Sequence, residues 1–155
     1  MKALVVYYSR TGNTRAAAKE IASALNADVE ELDDGVDRKG LIGWLKAGRD
    51  GMKKAKVKLK PLKHNPAEYD LIVVGSPVWG GNITPAVRTF LAENNLAGKK
   101  VALFCTTGSP TPGEAITNMK EYLKGATIVG EKSWRSFANK ELKNNAIEWA
   151  KSLNN

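Results

Sequence analysis

The sequence contains one cysteine, Cys105, and one histidine, His64. A single thiol excludes a disulfide framework, and one thiol with one imidazole is too few for a structural zinc site. We therefore expect no metal centre. Because Cys105 ends an apolar run, we expect it to be a buried and unreactive side chain.

Long apolar runs are also missing. The runs present are of strand length, whereas a membrane-spanning helix needs about 20 apolar residues. The opening run, residues 3–8, is too short for the apolar region of a secretory signal. These absences predict a cytoplasmic protein without membrane contact, and a length of 155 residues predicts one domain over 1–155.

Acidic residues are scarce in one part of the chain. Residues 36–64, here called the basic segment, hold ten Lys and Arg against two Asp, and 10 − 2 = +8 is the net charge of the whole chain. Such a segment is ordinarily a solvated face. The more specific interpretation is a docking surface for an acidic partner protein or for an anionic small molecule. Nucleic acid is not expected, because aromatic residues do not alternate with the lysines as a stacking platform requires.

The rest of the chain alternates regularly between strand-like and helix-like segments. The strand-like runs are 3–8, 28–32, 71–75, 101–105 and 126–129. The helical segments are 15–25, 41–52, one from Thr84-Pro85, one from a capping box at 111–114 to Leu123, and one from Asn139. Residues 53–63 fit an edge strand or an ordered loop. Five βα repeats predict one doubly wound parallel sheet in a three-layer α/β/α fold, with strand order 2-1-3-4-5.

The loop after the first strand is rich in hydroxyl groups. It reads Ser9-Arg10-Thr11-Gly12-Asn13-Thr14 and joins the end of a strand to the start of a helix. The first amides of a helix lack intrahelical partners and Gly12 can take a positive φ, so the loop suits a phosphate. It matches neither a Walker P-loop nor a dinucleotide fingerprint. The alternative is an ordinary turn in which Asn13 or Thr14 caps the helix.

Two further loops lie at the same end of the predicted sheet, because in the predicted strand order the third strand lies next to the first and the fourth next to the third. They are Pro77-Val78-Trp79-Gly80-Gly81-Asn82 and Thr106-Thr107-Gly108-Ser109. The arrangement favours a ligand with a phosphate on the first loop and a flat ring between the other two. Trp79, between proline and glycine, is predicted to stack on that ring, with a core position as the alternative.

With these motifs the chain resembles the flavodoxins over essentially its whole length. In that family a Thr/Ser-x-Thr-Gly-x-Thr loop binds the phosphate of FMN, and residues 9–14 fit it. The resemblance implies FMN as the cofactor, with the ring between the loops after the third and fourth strands. It also implies Gly80 as a hinge beside flavin N5, and chemistry carried by the flavin rather than by a catalytic side chain.

Three features depart from the flavodoxin pattern. Residues 106–112 contain no aromatic side chain for the outer face of the ring, which leaves Trp79, or Trp44 from the basic segment. The chain is basic, whereas flavodoxins are typically acidic. The run from Ser76 to Pro85 also resembles the corresponding loop of flavodoxin-like FMN and quinone reductases.

The sequence is compatible with three functions. The first is a monomeric FMN-binding carrier that passes single electrons between redox partner proteins. The second is an FMN-dependent NAD(P)H or quinone reductase that works by hydride transfer. The third is a flavin-free binding module on the same fold.

Overall fold

The computed structural model describes residues 1–36, 40–52, 57–135 and 139–155, together with the backbone but not the side chains of 41, 44, 48 and 50–52. Five parallel strands form one sheet in the order β2-β1-β3-β4-β5. The strands are β1 Ala3–Tyr7, β2 Asp28–Glu31, β3 Leu71–Pro77, β4 Lys100–Thr107 and β5 Thr127–Arg135. The helices are α1 Asn13–Leu25, α2 Gly40–Met52, α3 Pro85–Glu93, α4 Ala115–Lys120 and α5 Lys140–Ser152. The predicted strand order and α/β class are confirmed.

A hydrophobic core lies on each face of the sheet. Alternate residues of one strand enter different cores, so that Val6 packs on one side and Tyr7 on the other. Side chains of α2, α3 and α4 cover the first face, and side chains of α1 and α5 cover the second. The central strands are buried on both faces, which explains why they read as unbroken apolar runs.

The capping box predicted at residues 111–114 does not form. A capping box needs the amide of Glu114 to donate to the hydroxyl of Thr111. That amide donates instead to the carbonyl oxygen of Gly81, at 2.8 Å. The helix α4 begins only at Ala115 and has no side-chain cap. The predicted helix from 111 to 123 is therefore wrong at both ends, since α4 stops at Lys120.

The last strand is longer than predicted. The apolar run 126–129 indicates a short strand, but β5 continues to Arg135 and pairs with β4 from Thr127 to Arg135, with one register shift between Val101 and Ala102. Its second half includes Glu131 and Lys132, which are exposed. An edge strand of a sheet tolerates such polar residues because it has only one neighbouring strand, and hydrophobicity alone therefore underestimates its length.

Residues 57–63 form an ordered loop, and in this described part of the basic segment no strand is present. The Val57 amide donates to Thr89 Oγ1 at 2.9 Å, and the Lys60 amide donates to the Asp33 carbonyl at 2.8 Å. The loop thus bridges α3 and the end of β2. None of the described helices is long and apolar enough to cross a membrane.

Candidate functional site

Loop 1, residues 8–14, curls around one hydroxyl group. Ser9 Oγ accepts hydrogen bonds from the amides of Gly12 and Arg15, at 3.1 and 3.3 Å. Gly12 precedes α1 with a φ of 105°, a backbone conformation that favours glycine. The amides of Thr11 and Thr14 donate to no described residue. The start of α1 therefore presents donors and a positive dipole, while Asn13 and Thr14 do not provide the cap.

Loop 2, residues 77–84, contains a two-residue hairpin. Trp79 and Asn82 form an isolated antiparallel bridge, with N–H to O distances of 2.8 and 3.1 Å. Between them, Gly80 and Gly81 have φ values of 59° and 76°. Two successive positive φ values are what a type I′ turn requires, so the two glycines in sequence specify this turn. Both glycines are exposed.

Trp79 is enclosed, although it lies on a loop as predicted. Trp79 is only 7% exposed and belongs to the first core. Its ring meets the ring of Tyr8 edge to face, with centroids 5.4 Å apart. The indole therefore joins loop 2 to loop 1. Trp44, the other predicted stacking residue, has its side chain outside the described part of the chain.

Loop 3, residues 106–114, is tied to both other loops. Thr106 Oγ1 lies 2.8 Å from Thr14 Oγ1, and both residues are buried. The Val78 amide donates to the Thr106 carbonyl at 3.0 Å. At its far end the Glu114 amide donates to Gly81, as described above. These bonds hold the ends of β1, β3 and β4 together as one surface.

The remaining residues of loop 3 are small and mostly exposed. The Ser109 amide donates to Thr107 Oγ1 at 3.1 Å, which closes a short turn around Gly108. Cys105, the residue before loop 3, is fully buried, and burial raises the pKa of its thiol to about 12. The prediction of a buried cysteine is confirmed, and a raised pKa disfavours the reactive thiolate.

The structure brings the predicted residues to one end of the sheet. Among them, Asn82 has its amide oxygen buried and directed toward α3 and α4. It accepts from the Ile83 amide at 2.8 Å, from Arg88 Nη2 at 3.0 Å and from Asn118 Nδ2 at 2.7 Å. Sequence reasoning missed Arg88 and Asn118, because a single polar residue within a helix is ordinarily solvent-facing.

A groove of about 770 Å³ opens beside loop 1, toward β2. Residues from loop 1, from 30–36 and from 60–63 line it, including Ser9 and Arg10. Its charges are largely matched, since Arg15 Nε donates to Glu31 at 3.0 Å and Lys60 pairs with Asp33 at 2.9 Å. The Lys60 hydrogen bond lowers the pKa of Asp33.

The described residues that line the groove include four Lys and Arg and four Asp and Glu, so they supply no excess of positive charge. Tyr7 neighbours Glu31, one of the residues that line the groove. Burial and the Glu31 carboxylate raise the pKa of Tyr7 to about 12, so its phenol stays neutral. Within the described residues, no group of three or more His, Cys, Asp and Glu is placed to hold a metal ion.

Comparison with solved structures supports the same fold. Oxidised flavodoxin 2 from Bacillus cereus superposes with a TM-score of 0.67 at 25% identity, over 99% of this chain and 98% of that one. A flavoprotein from Lactobacillus acidophilus, solved in complex with FMN, superposes with a TM-score of 0.72 at 21% identity. That match covers 96% of this chain and 98% of the other.

Comparison by sequence adds one relative and the family. NAD(P)H dehydrogenase (quinone) 3 from Rhizobium meliloti is 31% identical in a match that covers 83% of this chain. The chain spans 66% of that relative's length. The family model described as flavodoxin matches residues 2–152. Because this match covers nearly the whole chain, the protein belongs to the flavodoxin family.

Proposed function

We propose that the protein binds FMN non-covalently and carries single electrons between redox partner proteins. The observation that carries this proposal is the joining of loops 1, 2 and 3, through Thr14 and Thr106 and through Gly81 and Glu114, into one surface. That surface lies outside the carboxyl ends of the central strands, where ligands bind in open α/β sheets.

Loop 1 fits the phosphate of FMN. The amides of Thr11 and Thr14 have no described acceptor, and the start of a 13-residue helix adds a positive dipole. Ser9 Oγ already accepts two amide hydrogens, so its own hydrogen is available to an anion. Loop 1 would therefore hold the phosphate, while the exposed glycines of loop 2 and the small residues of loop 3 would flank the ring.

FMN, when bound, supplies the group that accepts and donates electrons. The chain's contribution includes one peptide group with freedom to turn. The carbonyl oxygens of Trp79 and Gly81 accept from Asn82 and Glu114, whereas no described residue donates to the oxygen of Gly80. The Gly80–Gly81 peptide is thus the one in the hairpin that can rotate toward a ring nitrogen without breaking a hydrogen bond.

The first test is a visible spectrum recorded during slow reduction of the protein with FMN added. A carrier is expected to take up electrons in two resolved one-electron steps. Absence of FMN binding at micromolar concentration would contradict the whole proposal and would favour a flavin-free module.

The Gly80 peptide has its own test. Gly80→Val places a β-branched residue at positive φ, and we expect the two one-electron potentials to move closer together. Gly98→Val is the matched control, because Gly98 has a φ of 80° and lies in open space in another turn. An unchanged gap in the Gly80 variant would remove the hinge role.

A second candidate function is an FMN-dependent NAD(P)H or quinone reductase. The relative from Rhizobium meliloti, a quinone dehydrogenase by name, favours it. Loop 3 also offers no aromatic residue to cover a ring, which leaves room for a second substrate. Steady-state oxidation of NADPH with a quinone separates the two: sustained turnover identifies the reductase, and its absence favours the carrier.

We propose that the redox partner proteins bind the basic segment through acidic surfaces of their own. Helix α2 supports this proposal, because its small residues Gly43 and Ala47 are buried while Ile42 and Leu45 are 83% and 59% exposed. Exposed apolar side chains on a segment rich in Lys and Arg suit a partner with an apolar centre and an acidic rim. Electron transfer to the acidic cytochrome b5 should slow as salt rises, and transfer to basic cytochrome c should not. The opposite pattern would contradict this docking mode.

A further inference from the structure

A charged side chain is enclosed behind the loop 2 hairpin. Arg88, in the first turns of α3, is only 4% exposed. Its Nη2 donates to Asn82 Oδ1 at 3.0 Å, and its Nη1 lies 3.5 Å from the hydroxyl of Tyr122. Its Nε is buried without a hydrogen-bond partner. None of the acidic residues in the described ranges forms an ion pair with it.

The two partners of this guanidinium, Asn82 and Tyr122, carry no charge, and one of them is shared with other donors. Asn82 Oδ1 receives donors from Ile83, Arg88 and Asn118. A carbonyl oxygen has only two lone pairs, so three donors saturate it and one of them makes a weak hydrogen bond. The cluster fastens the hairpin to α3 and α4, but it does not neutralise the positive charge.

An uncompensated buried charge is unfavourable. An apolar side chain of similar length would fill the same space without that penalty. Without the guanidinium, the Asn118 hydrogen bond would still join Asn82 to α4. A charge at this position therefore calls for a negative partner that the described residues do not supply.

We propose that Arg88 is the counter-charge for the reduced cofactor, and this inference rests on the proposed binding of FMN. Reduction of an isoalloxazine ring by two electrons, delivered by the redox partner, with uptake of one proton leaves one negative charge. The guanidinium is buried directly behind the hairpin that would flank the ring, because it bonds to the hairpin residue Asn82. Water screens a charge there only weakly, so Arg88 favours the reduced state and raises its midpoint potential. Arg88 acts through space as a positioning and tuning residue, not as a catalytic one.

The test compares two variants of the full chain reconstituted with FMN. Arg88→Met removes the charge, and Arg88→Lys keeps it while losing the forked hydrogen bonds. We expect Arg88→Met to weaken the binding of reduced FMN about tenfold relative to oxidised FMN. That change corresponds to a fall of about 30 mV in the two-electron midpoint potential. Arg88→Lys should stay near the wild-type potential. Lys151→Met, an exposed change of the same formal charge on α5, should have no effect.

Stability alone cannot decide the role, because both Arg88 variants disturb the cluster around Asn82. The midpoint potential can decide it, because a residue with a purely structural role would shift that potential equally in the Lys and Met variants. Equal shifts, or none, with FMN bound overturn the inference and leave the proposed function intact. Failure of the wild-type protein to bind FMN overturns both. Should Arg88→Met not fold, Arg88→Gln removes the charge with a polar side chain, and the same comparison with Arg88→Lys applies.

Discussion

The contact between Gly113 and Gly81 provides the sharpest test of how loops 2 and 3 are joined. Gly113 has a φ of 56°, and a Cβ built there would lie 2.7 Å from the oxygen and 2.8 Å from the Cα of Gly81. Both of these atoms belong to the backbone and cannot swing aside. Alanine at this position must therefore push the two loops apart and strain the Glu114–Gly81 hydrogen bond.

The expected magnitude has two parts. A left-handed conformation costs an L-residue roughly 1–2 kcal/mol, and overpacking adds roughly 1–3 kcal/mol. We therefore expect Gly113→Ala to lower the free energy of unfolding by roughly 2–5 kcal/mol. At this chain length each kcal/mol lowers Tm by about 2–4 °C.

Gly98→Ala separates the two parts. Gly98 has a φ of 80°, but no atom lies within 4 Å of its added Cβ, so it carries the conformational cost alone. Urea unfolding of both variants, without cofactor, measures the difference. We expect Gly113→Ala to be less stable than Gly98→Ala by at least about 1 kcal/mol. Equal losses would refute the close approach of the two loops, and with it the joined surface on which the proposed function depends.

Three further predictions concern buried groups of the same region. Thr14→Val and Thr106→Val should each lower the free energy of unfolding by about 1–2 kcal/mol, because each leaves the other hydroxyl unpaired. The double variant should lose less than the sum of the two single losses, and additive losses in urea unfolding would contradict the hydrogen bond. Gly75→Ala should prevent stable folding or destabilise by more than about 3 kcal/mol, since its Cβ would lie 2.1 Å from the Phe104 ring; a normal thermal melt would contradict that packing. Cys105 has its thiol pKa raised to about 12, so Ellman's reagent at pH 8 should label it only after unfolding; rapid labelling of the native protein would contradict its burial.

Much of the fold could be predicted because its signals are local. The apolar runs of β1, β3 and β4 are long and unbroken, as expected for strands buried on both faces. The amphipathic spacing in α1 and α5 marks the faces that enter the second core. The strand order then follows from the number and alternation of the elements.

The end of loop 3 could not be predicted from local signals. The sequence from 111 to 114 satisfies the capping-box pattern, but the Glu114 amide has a better acceptor in Gly81, which is 33 positions away in the chain. Tertiary hydrogen bonds override helix-capping preferences when they satisfy the same donor. The same limit applies to β5, whose length depends on pairing with β4.

The direction of the Asn82 side chain has a consequence for the site. Local sequence places an asparagine on a glycine-rich loop beside a ligand, but its amide oxygen is saturated by donors from loop 2, α3 and α4. Trp79 is likewise enclosed, against Tyr8. At its tip, loop 2 therefore presents the peptide groups of Gly80 and Gly81 to the outside, rather than side chains. Any ring held between loops 2 and 3 is recognised there by backbone geometry, so substitutions of Asn82 or Trp79 should change stability before they change ligand preference.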